Sequence, residues 1–108
     1  MPSTKKQVRA QFRRDVFQRD RYRCQLCGKL YSKEVAEIYL DAHHITNRDN
    51  MTNGGYVVEN GVSLCKLREV QSIPSCHEKA EAGTISAEAL YSKVGSSYNE
   101  AAEAVSRK

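Results

Sequence analysis

The chain has no tryptophan, only two phenylalanines and only two prolines in 108 residues. Aromatic side chains carry much of the energy of a core. A chain this short also buries only about two-thirds of its unfolded surface. A large, self-sufficient core is thereby excluded, and a staple is expected. No apolar run approaches the ~18 residues that a membrane-spanning helix needs. The opening stretch MPSTKKQVRAQFRRD has charges with no apolar segment behind them, unlike a secretory signal. The expectation is a cytoplasmic protein without a membrane partner. Internal repeats and low-complexity segments are missing as well, which leaves one domain over 1–108.

Among what is present, four cysteines stand out. In a reducing compartment thiols stay free, so the staple is expected to be a metal rather than two disulfides. Charge is unevenly spread. Residues 1–33 hold ten Lys/Arg against two Asp/Glu, while residues 34–108 hold seven against eleven. Such a basic front end suits a phosphate backbone, although a solvated helix face has the same composition.

Residues 5–19, KKQVRAQFRRDVFQR, read as a helix with Val8, Phe12 and Val16 on one stripe, Phe17 beside it, and Ser3 or Thr4 as its cap. Lys6, Arg9, Arg13 and Arg14 fall on its other faces. Cys24-x-x-Cys27-Gly28 follows as a tight turn and is the usual first half of a tetrahedral zinc site. EIYLDAHHI reads as a strand, TNRDNMTNGGYVVEN as a polar loop and GVSLC as a second strand. KLREVQSIPS is irregular. CHEKAEAG and SAEALYSKVG read as short helices, the second capped by Ser86. The tail SSYNEAAEAVSRK is partly helical or frayed.

Cys24, Cys27, Cys65 and Cys76 make one complete set of zinc ligands. The only three histidines are His43, His44 and His77. The first two lie with Asn60 between the cysteine pairs, and His77 directly follows the last cysteine. Neighbouring strand residues point to opposite faces, so the adjacent histidines His43 and His44 cannot both be core.

VFQRDRYRCQLCG, DAHHI, ENGVSLC and CHEKAEAG together resemble the HNH endonucleases, the ββα-metal nucleases, in particular the zinc-stapled members common in phages and restriction systems. The resemblance covers about residues 8–83. It implies an α+β fold: a small zinc-stapled ββα-metal (HNH) domain with an N-terminal basic helix and short C-terminal helices, residues 84–108 being a helical extension. It also implies a phosphodiester hydrolase that nicks or cuts double-stranded DNA as a monomer or homodimer, leaving a 3′-hydroxyl and a 5′-phosphate. By position His44 would be the general base, and His43 and His77 ligands of a catalytic Mg²⁺ or other divalent ion. Asn60 would order the loop, and the four cysteines would hold structural Zn²⁺. Arg9, Arg13, Arg14, Arg19 and Arg21 would lie along DNA, joined by Lys66 and Arg68.

Two features depart from the family pattern. Ten residues separate Cys65 from Cys76 where the family has a tight second knuckle, and Asn47 stands where many members have proline. Two other readings remain open: a zinc-ribbon nucleic-acid-binding module without catalysis, and an inactive HNH relative within a larger assembly.

Overall fold

The computed structural model describes residues 4–107. In chain order the elements are α1 (Lys5–Arg19), α2 (Ala36–Tyr39), β1 (Leu40–His44), β2 (Gly61–Cys65), α3 (Cys76–Glu81), α4 (Ala87–Lys93) and α5 (Tyr98–Ser106). Three 3-10 turns, Arg48–Asn50, Thr52–Gly55 and Val58–Asn60, occupy the stretch read as a polar loop. The fold class is α+β.

The first helix begins with a capping box: the Thr4 hydroxyl accepts from Gln7 N–H, and the Gln7 side chain accepts from Thr4 N–H. Both orphan donors are thus satisfied. Ser3, the other candidate cap, lies outside the described residues. Phe12, Val16 and Phe17 are buried, and Val8 is half-buried. The helix ends where Arg21 and Tyr22 take left-handed φ values of +56° and +60°. Tyr22 N–H closes onto the Phe17 carbonyl at 2.9 Å, and the reversed chain runs into the Cys24 turn.

The two strands form an antiparallel pair in the register Leu40↔Cys65, Ala42↔Ser63, His44↔Gly61. The strand expected from Glu37 starts only at Leu40, because β2 ends opposite it at Cys65 and a single further bond, Lys66 N–H to the Tyr39 carbonyl at 2.9 Å, closes the ladder. Residues 36–39 instead form one helical turn, anchored by buried Ala36. Helix α1 packs on β2 at Gly61. A Cβ there would lie 2.3 Å from Val16 Cγ2 and 2.9 Å from Phe12 Cζ, so only glycine allows this approach.

The tail is not frayed. Ser97 caps α5, which buries Ala101, Ala104 and Val105. Leu90, Tyr91 and Ala101 join the main core with Phe12, Leu40 and Leu64. The segment after 83 is therefore built into the core rather than appended to it.

Candidate metal centres and functional cleft

The four cysteine sulfurs come together, all within 4.8 Å of one another, with Cys27 and Cys65 Sγ 4.0 Å apart. A tetrahedral zinc ion with bonds of ~2.3 Å sets its sulfurs about 3.8 Å apart, so the donor set fits a metal such as zinc. Cys24 arrives from the turn after α1, Cys65 from the end of β2 and Cys76 from the first turn of α3. Ser75 caps that helix in a second capping box with Glu78. Burial pushes the Cys24 thiol up, but backbone hydrogen bonds from Cys27, Cys65 and Leu26 outweigh it and lower its pKa. Burial first, then crowding by neighbouring sulfurs, raises Cys65 and Cys76. A bound divalent cation relieves that crowding.

The long spacing between Cys65 and Cys76 is accommodated by a tied loop. Arg68 donates to both Glu78 carboxylate oxygens at 2.8 and 2.6 Å and to the Gln71 carbonyl at 2.7 Å. Its guanidinium thus fastens the 66–75 excursion to α3, while the Lys66 side chain is left exposed.

A second cluster joins Asp41, His43 and His77, whose ligating atoms also lie within 4.8 Å of one another. His77 Nε2 is 3.1 Å from Asp41 Oδ2 and 3.3 Å from Glu81 Oε1, and that same oxygen is 3.4 Å from His43 Nδ1. The strand pleat puts Asp41 and His43 on one face, and the helix repeat puts Glu81 one turn beyond His77. Both carboxylates escaped the sequence reading, yet the i,i+2 and i,i+4 spacings were available to find them. Mixed imidazole and carboxylate donors suit a divalent ion. His43 has its pKa lowered by burial and by His77, against the opposing pull of Glu81 and Asp41.

His44 points the other way. It stacks on Phe12 at 4.5 Å and meets the Tyr56 ring edge-on at 4.7 Å. Burial foremost, then the charges of Arg48 and His43, lowers its pKa to about 4, so the ring is neutral at pH 7. Its Nε2 is buried without a hydrogen-bond partner among the described residues.

Asn60 is fully buried and does not line the cleft. Its side-chain oxygen accepts from Thr46 N–H at 2.9 Å and Tyr91 O–H at 2.8 Å, and its amide donates to the carbonyls of Thr46 and Gly55. It locks the chain two residues past His44. Tyr91, which completes this clasp, has no local sequence signal.

His43 and His44 line one cleft of about 820 Å³, with Arg9, Arg13, Arg48 and Tyr56 also in its walls. Arg9 and Arg13 thus share the cleft-facing side of α1 with Phe12, rather than a separate outer face. Arg13 pairs with Glu37 at 3.4 Å, and Arg14 is exposed with Gln11 as its partner. Arg21 is exposed. Arg19 is turned inward: it pairs with buried Asp20 and donates to the carbonyls of Val58 and Gly61 at 2.5 and 2.6 Å. Asp20 in turn accepts from Ser63 N–H at 2.8 Å. Arg19 therefore fastens α1 to β2 and is not available to a backbone phosphate.

Among the described residues, no helix is long and apolar enough to cross a membrane. In comparisons with known proteins, no family model, curated protein or solved structure matches the chain.

Proposed function

We propose that the chain is a metal-dependent endonuclease of the HNH, ββα-metal type, hydrolysing phosphodiester bonds of duplex DNA. The observation that carries this reading is the pleat of β1. It sends His43 to the Asp41–His77 cluster and the neutral His44 to the opposite face, while both line one cleft with arginines in its walls. A divalent ion held by Asp41, His43 and His77 would supply charge stabilisation at the phosphate. His44, neutral at pH 7 and with Nε2 walled in, offers Nδ1 to take a proton from the attacking water. Asn60 acts through the Thr46 backbone and is a positioning residue. Arg9 and Arg13 attract the phosphates, and a zinc ion held by the four cysteines would tie the turn after α1 and the start of α3 to the end of β2.

A non-catalytic zinc-ribbon module accounts for the cysteines and the basic helix but gives the Asp41–His43–His77 cluster no task. Plasmid relaxation with Mg²⁺ or Mn²⁺ separates the two. The zinc-loaded protein should relax supercoiled DNA, and His44→Ala should lose about 10²–10⁴-fold in rate. Folded, DNA-binding protein that fails to cleave whichever divalent ion is supplied would favour the binding module.

A further inference from the structure

A second cleft of about 430 Å³ adjoins the first, and the two share Arg9, Arg48, Asp49 and Tyr56 in their walls. Two guanidiniums from distant elements converge on one phenol there. The Tyr56 hydroxyl accepts from Arg9 Nε at 3.4 Å and from Arg48 Nη1 at 3.1 Å. The Tyr56 ring is fixed edge-on to both His44 and Phe12. Arg13, Arg19 and Arg68 all have carboxylate partners. Among the described residues, Arg9 and Arg48 form no ion pair, although Asp49 lies in the same walls. Two like charges drawn to one phenol oxygen repel each other, and a bound anion between them turns that cost into attraction.

We propose that Arg9, Tyr56 and Arg48 form a phosphate clamp for the phosphodiester adjacent to the one over the histidines. The nucleotide beyond the clamp would lie in the second cleft, along Lys5 and Val8. The substrate is then a polynucleotide strand that extends at least one nucleotide past the scissile bond. Placement of the first phosphate rests on the nuclease reading; the clamp geometry does not.

The test is binding of a short DNA duplex by fluorescence anisotropy across a salt series. It uses the zinc-loaded His44→Ala protein, so that cleavage does not intervene. Adding Arg48→Ala should weaken binding about tenfold, equally for different sequences, and lower the salt slope by about one. Arg107→Ala removes the same charge outside both clefts and should leave the slope unchanged. An unchanged slope in both Arg48→Ala and the Arg9→Ala/Arg48→Ala pair, with circular dichroism intact, would overturn the clamp, as would an equal drop in Arg107→Ala. Inorganic phosphate bound in an Arg48-dependent way, with duplex binding unaffected by the same substitution, would overturn the polynucleotide assignment. If wild-type protein never cleaves DNA but the slope still falls, the nuclease reading fails and the clamp stands. Cleavage with an unchanged slope removes the clamp alone.

Discussion

Every polar group of Asn60 has a partner: beyond its four side-chain bonds, its N–H donates to Val57 and its carbonyl accepts from Ile45. Because Tyr91 gives its proton to Asn60, the Thr46 hydroxyl, 2.7 Å away, is the donor to the phenol. A buried group freed of its partner costs more than the bond it made. Asn60→Ala strands the N–H and the carbonyl of Thr46 at once, while the Gly55 carbonyl keeps Val57 N–H and the Tyr91 hydroxyl keeps the Thr46 hydroxyl. The variant should lose about 2–4 kcal/mol in urea unfolding of the zinc-loaded protein, and Tyr91→Phe about 1 kcal/mol. An unchanged midpoint in Asn60→Ala would show that the clasp holds nothing.

The hairpin and α1 form the element that carries the histidines, and Gly61 sets how closely they pack. Gly61→Ala places a methyl group inside the van der Waals shells of Val16 and Phe12. It should cost about 1–3 kcal/mol and disturb the ring of His44, which stacks on Phe12. Thermal melting checks the first effect, and the histidine proton resonances check the second. α1, β2 and the opposite placement of His43 and His44 were legible in sequence because each follows from a local period. α2 was not, since Ile38, Tyr39 and Leu40 run on as one apolar stretch of strand-favouring composition, and only the end of β2 decides otherwise. Contacts made across long separations left no local mark. Arg19 reaches Gly61 over 42 residues and Arg9 reaches Tyr56 over 47, so one arginine expected on DNA is structural and one tyrosine read only as loop lies at the cleft.

At the scale of the whole molecule, the four cysteines link the end of α1, the end of β2 and the start of α3 in a chain with few large core residues. Metal binding in small zinc modules contributes about 10–16 kcal/mol, as much as the whole stability of an ordinary domain. Cys24→Ser, or stripping the metal with a strong chelator, should therefore abolish the cooperative melt and most of the helical circular dichroism. Unchanged melting would remove zinc from the account of stability. The same molecule is also closed from its other end. Tyr91 clasps Asn60 from 31 residues downstream, and α5 lies against the 3-10 turns before β2. A chain emerging from the ribosome presents its N-terminal part first. The basic helix, the hairpin and all three histidines are thus exposed before the segment that locks the loop beside them has been made. The walls of the cleft are therefore fixed only once α4 and α5 have been made.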